Sequence, residues 1–94
     1  MNTLFLLLAE FGEADVPLDR VANKYFGLGP DKAKRMAANR TFPLPAYRAG
    51  ESQKSTWLVR LSDLAEYLDE RRESAREEWA LVQGHKSATR RSRH

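Results

Sequence analysis

Between Phe26 and Asp31 the chain reads Gly27-Leu28-Gly29-Pro30, and no single helix can run through that stretch. Gly27 can take the left-handed conformation that ends a helix. Pro30 suits the first position of the next one, where its missing N–H costs nothing. On the near side, Leu18, Val21, Ala22 and Tyr25 recur at i, i+3, i+4 and i+7, and Phe26 widens the stripe, so a short helix is expected over 18–26. On the far side a second helix is expected from Pro30 to about Arg40. Its inward side is Ala33, Met36 and Ala37; a step of about 100° per residue puts Asp31, Arg35 and Ala38 opposite, flanked by Lys32, Lys34 and Asn39.

The prolines of Phe42-Pro43-Leu44-Pro45 then force an extended segment. Two short strands are expected at 46–48 and 56–59, with Trp57 and Val59 on one face and the polar loop 49–55 between them. Ahead of all this, Asn2 and Thr3 can cap a short buried helix over 3–11 that stops at Gly12. Its apolar run also permits a buried strand, because period alone does not separate the two. Residues 13–17 read as a loop. At the other end Ser62 is the expected cap of a last helix that stops near Gly84. Leu64, Leu68, Ala75, Trp79 and Val82 form a stripe near heptad spacing along it, interrupted by Arg71 and Arg72. The polar, basic stretch 85–94 has no periodicity and is expected to be disordered.

The expected fold class is therefore mainly α with a small β-ribbon, a winged helix-turn-helix plus a long C-terminal helix. With 94 residues there is one domain, taken as 1–84, and a basic tail, 85–94. There is no cysteine, so disulfides, a thiolate zinc site and a cysteine nucleophile are excluded. The longest apolar run, Leu4–Ala9, is too short to span a bilayer and has no basic residue before it. A cytoplasmic protein without membrane contact is expected.

The net charge of +3 conceals a strong asymmetry. Residues 1–19 carry four acids and no base, residues 20–60 nine Lys/Arg against two acids, and residues 61–84 seven acids against three Arg. A basic middle between acidic flanks points to a polyanionic partner. In a winged helix-turn-helix the second short helix enters the major groove and the ribbon tip lies against the backbone or minor groove. The residues at those places suit double-stranded DNA. Lys34 and Arg35 can donate to guanine edges or phosphates, and Asn39 can pair bidentately with adenine. Lys32 and Arg40, near the helix ends, suit phosphates. On the ribbon, Arg48, Ser52, Gln53, Lys54 and Ser55 complete the expected DNA-binding set.

A basic helix face alone is as well read as a solvated face; it is the coincidence of helix and ribbon that favours DNA. The stripe Leu68, Ala75, Trp79 and Val82 is the expected dimerisation surface, although such a stripe can equally pack on its own domain. Trp79, far along a helix that outruns a small domain, favours a homodimer. No enzyme is expected. The two histidines, His85 and His94, lie in the tail, and no Ser/His/acid set, metal-ligand spacing or phosphate-binding glycine loop is present, so no cofactor and no metal are expected.

Several blocks in order also resemble the pyocin activator (PrtN-type) family, itself similar to the wider excisionase-like winged helices. They are the opening Asn2–Gly12, Lys24-Tyr25-Phe26-Gly27-Leu28, Phe42–Arg48, Ser52–Ser55 with Trp57-Leu58-Val59, then Asp63-Leu64-Ala65 and Glu77-Glu78-Trp79. The likeness covers about residues 1–80. It implies a transcriptional activator of bacteriocin (phage-tail-like) or prophage genes that binds a short repeated box, with RNA polymerase a further partner of such an activator. Two rivals stand beside it: an excisionase-like architectural factor that bends DNA, and a protein-interaction module or antirepressor that never touches DNA.

Overall fold

The computed structural model describes the backbone of residues 2–52 and 54–92, and side chains as far as Gly84. The order is α1 (Thr3–Phe11), β1 (Asp15–Pro17), α2 (Leu18–Phe26), α3 (Pro30–Ala38), β2 (Ala46–Arg48), β3 (Trp57–Arg60) and α4 (Leu61–Ser92). The fold is mainly helical, with a three-stranded antiparallel sheet in the order β1-β3-β2 and a long C-terminal helix.

Helix α1 starts where its cap predicts. The Asn2 side-chain oxygen accepts from the Phe5 amide at 2.7 Å, and Gly12 ends the helix in the left-handed region at φ 75°. Asn2→Ala removes an acceptor for an otherwise orphaned amide and should lower the unfolding free energy by about 1 kcal/mol, read from urea melts. The expectation that α1 is wholly buried is corrected. Leu7 and Phe11 are buried, whereas Phe5 is 59% and Leu6 52% exposed. A run of uniformly apolar residues does not reveal which side of the helix the core takes.

Residues 15–17 are a strand and not the expected loop. Val16 pairs with Val59 and Pro17 with Leu58, so β3 is the central strand. On the other side Tyr47 pairs with Leu58 and Arg48 with Trp57, which makes the expected ribbon. The strand β3 lies one residue later than expected and runs directly into α4. The Leu61 amide donates to the Ala14 carbonyl at 2.8 Å, so the helix begins at Leu61 without a cap and Ser62 sits inside its first turn. Gly84 does not end α4, whose backbone is helical to Ser92; a glycine stops a helix only where the chain turns left-handed there, and here it does not. Residues 85–92, expected to be disordered, thus have a helical backbone, while residues 93–94 and the side chains beyond Gly84 lie outside the described residues.

One core joins these elements. Val16, Leu18, Val21, Val59, Leu61 and Leu64 are its largest fully buried side chains, and no polar side chain is buried among the described residues. Ala33 and Ala37 are buried on α3 as expected, and Met36 is half-buried. These small side chains let α3 lie close on α2 and leave its charged residues outside. Leu68 is half-buried against the core, so it belongs to its own domain and not to a free dimerisation face. Beyond it, from Asp69 to Val82, every residue of α4 is exposed.

Candidate nucleic-acid interface

Gly27 adopts φ 65°, the left-handed turn that a side chain resists, and the next helix begins two residues after it at Gly29-Pro30. This tight corner sets α3 across α2 and turns Lys34 and Arg35 toward the ribbon. Those two side chains, with Arg48, Lys54, Ser55, Thr56 and Trp57 of the ribbon and Leu18-Asp19 of α2, line a single groove. Residues about twenty positions apart in the sequence are thus brought onto one concave surface.

The ribbon side of the groove is fixed by its own contacts. The Arg48 guanidinium lies 4.6 Å from the centroid of Trp57, its cross-strand partner, and donates to the Ser55 carbonyl at 3.3 Å. The Ser55 hydroxyl donates to the carbonyls of Ser52 (2.6 Å) and Gly50 (2.9 Å), and the Lys54 amide donates to the Ser52 hydroxyl at 3.1 Å. The two serines therefore shape the turn, and Lys54 stands exposed at its tip. Gln53, expected beside them, lies outside the described residues.

The other expected residues are placed less centrally. Arg40 lines a second depression, between the end of α3, residues 42–45 and Tyr47, which shares Arg48 and Trp57 with the groove. It lies outside α3, in the left-handed region at φ 59° after the cap Asn39, and so is not the last helical residue it was expected to be. Lys32 lines neither depression but is exposed in the first turn of α3.

The ion pairs lie outside this face, although Arg71 and Arg76 of α4 are likewise exposed and enter none among the described residues. Lys24 pairs with Glu10, Arg60 with Asp15 and Arg72 with Asp69, while Arg20 lies 4.9 Å over the Phe11 ring. Among the described residues Lys32, Lys34, Arg35, Arg40 and Lys54 enter no ion pair, and all are exposed. Tyr47 donates its hydroxyl to Asp15, a bond that holds the proton on and raises the phenol above its ordinary range; burial does the same for Tyr25. Both are structural and lie outside the groove. Among the described residues no cluster of His, Asp and Glu is placed to hold a metal ion, and no helix is long and apolar enough to cross a membrane.

Four groove residues were not anticipated from sequence: Leu18 and Trp57, read as apolar packing positions, and the polar Asp19 and Thr56. An acid among cations is invisible to a search for basic patches, and Thr56 had been assigned to a strand rather than to the groove wall.

A family model for pyocin activator protein PrtN matches residues 3–75. The chain belongs to the pyocin activator family. No curated protein and no solved structure matches it. The pyocin activator match takes in α1, the sheet, the whole groove and the first turns of α4, and stops at Ala75, inside the exposed part of that helix. The family description marks the chain as a regulator of pyocin genes.

Proposed function

We propose that this pyocin activator is a sequence-specific double-stranded DNA-binding protein that works as a winged helix-turn-helix, and that it acts as a homodimeric activator without enzymatic chemistry. The observation that carries the reading is the groove in which Lys34 and Arg35 of α3 converge with Lys54 of the ribbon, none of the three in an ion pair among the described residues. The order of helices and the strand order β1-β3-β2 support it, being compatible with α3 as the reading helix and the β2–β3 turn as the wing. Lys34 and Arg35 face the base edges, with Asp19 beside them as an acceptor suited to a cytosine amino group. Lys32 and Arg40, at the two ends of α3, take phosphates; Asn39, the exposed cap of α3, lines neither depression and is assigned no base. On the wing Lys54 meets the backbone, while Arg48, Ser52 and Ser55 hold the shape that presents it. Trp79 and Val82, beyond the body on α4, serve the second copy; Ala75 lies between them and the body.

Titration of a duplex across salt concentrations tests the proposal. Each phosphate neutralised contributes a slope of about −0.9 in log K against log salt. With Lys32, Lys34, Arg35, Arg40 and Lys54 of this face free of ion pairs among the described residues, a slope of about −3 or steeper is expected. A flat response rejects DNA as the partner and favours a protein-interaction module. In the same titration Lys54→Ala should weaken every duplex alike and reduce the slope by about one unit. Weakening confined to one sequence would move Lys54 from the phosphates to the bases.

A further inference from the structure

The exposed segment Arg71-Arg72-Glu73-Ser74-Ala75-Arg76-Glu77-Glu78 is antisymmetric in charge about its midpoint. Counted inward from its ends, Arg71 is matched by Glu78, Arg72 by Glu77 and Glu73 by Arg76, and the centre is the small uncharged pair Ser74-Ala75. Two copies laid antiparallel about this centre set Arg71 of each level with Glu78 of the other. Two copies laid parallel set each residue level with itself, Arg71 against Arg71 and Glu78 against Glu78, both like-charged.

We propose that α4 pairs with α4 of a second copy of this chain, antiparallel and centred between Ser74 and Ala75. The inference starts from the homodimer proposed above and gives it a direction and a register. At about 100° per residue, Ala75, Trp79 and Val82 continue the face on which Leu61, Leu64 and Leu68 meet the core. Arg71 and Glu78 fall together on one flank of that face, whereas Glu73 and Arg76 point away from it. A two-fold antiparallel pair brings like flanks together, so the Arg71–Glu78 couple forms twice across the seam. Arg72 is held within its own chain by Asp69 at 3.2 Å, and takes no part in the pairing.

The same register gives the apolar residues an occupant. Trp79, 65% exposed, comes level with Glu70 of the second copy and Val82 with Tyr67. That is where α4 leaves the body and where Thr3, at the start of α1, bonds Asp69; Phe5 and Leu6 are exposed on the following turn of α1. Small residues at the crossing allow the helix axes to approach closely. With a rise of about 1.5 Å per residue, the Ala65 positions of the two copies stand roughly 30 Å apart along the pair, near the ~34–36 Å between half-sites one duplex turn apart. Only this last step depends on DNA binding.

Charge reversal on the full chain, read by sedimentation equilibrium at low salt, tests the pairing. R71E and E78R each replace two attractive couples with repulsive ones and should raise the dimer dissociation constant about tenfold. The combined R71E/E78R variant rebuilds both couples and should return to within about threefold of the original. Tighter dimers or unchanged constants from the single reversals overturn the proposal. A chain that stays monomeric at about 100 μM removes the second copy altogether. Duplex binding by the same samples is scored separately: a dimer with the expected charge response that ignores DNA upholds the pairing and rejects the function.

Discussion

Leu64→Ala lowers the unfolding free energy by about 2–5 kcal/mol. Leu64 is fully buried in the second turn of α4, in the cluster that also holds Leu61, Val59 of the central strand and Val21 of α2. Truncation there loses the transfer free energy of the removed carbons and leaves a cavity whose walls, held by helix and sheet, close only in part. The domain is small, and such domains are stable by only about 5–15 kcal/mol in all. One cavity therefore removes a large share. The urea midpoint should fall sharply while the slope stays constant. Leu68→Ala, at a half-buried site, should cost clearly less. A loss under about 1 kcal/mol for Leu64→Ala would mean that the first turns of α4 are dispensable to the core. DNA affinity of the variant should fall only with the folded fraction, leaving the preference between sequences intact.

Much of this fold was legible because its punctuation is strong. Gly27 to Pro30 fixed the break between α2 and α3, and the i, i+3, i+4 spacing from Leu18 fixed the buried side of α2. The elements that were missed gave too little signal of the right kind. Three residues, one of them Pro17, cannot display the alternation of a strand, and β1 exists only because β3 has a free edge beside it. The first helix is apolar nearly all round, so its exposed Phe5 and Leu6 could not be told from its buried Leu7 and Phe11. Arg40 looked like a helical residue because nothing local marks a non-glycine that takes the left-handed turn.

The candidate site divides in the same way. Its cations were visible as a charge bias, and Lys34, Arg35 and Lys54 do share a groove. Charge counting is blind to pairing, however. Nothing in the sequence says that Lys24 is neutralised by Glu10 while Lys34 has no such partner among the described residues. The stack of Arg48 on Trp57 is equally hidden, since it depends on the cross-strand register that sets residue 48 opposite residue 57. What that register determines is the orientation of the wing, and hence which cation leads.

Arg35→Ala should cost about 1–3 kcal/mol on the preferred duplex, roughly 5- to 150-fold in affinity, and much less on a scrambled one. The asymmetry follows from position. Arg35 is exposed on the side of α3 opposite Ala33 and Ala37, it has no ion pair among the described residues, and it lies at the wall of the groove nearest the ribbon. A guanidinium there can donate two parallel bonds to one guanine edge, and a phosphate contact offers no such discrimination. Arg35→Lys separates charge from geometry: it should keep the affinity for scrambled DNA and lose most of the preference, because an ammonium lacks the fork. Neither change should move the urea midpoint, as Arg35 supports nothing in the fold. The measurement is fluorescence anisotropy on both duplexes at one salt concentration. Equal losses on the two would make Arg35 a phosphate clamp like Lys54. Recognition of sequence would then have to come from Lys34 or the shape of the duplex itself.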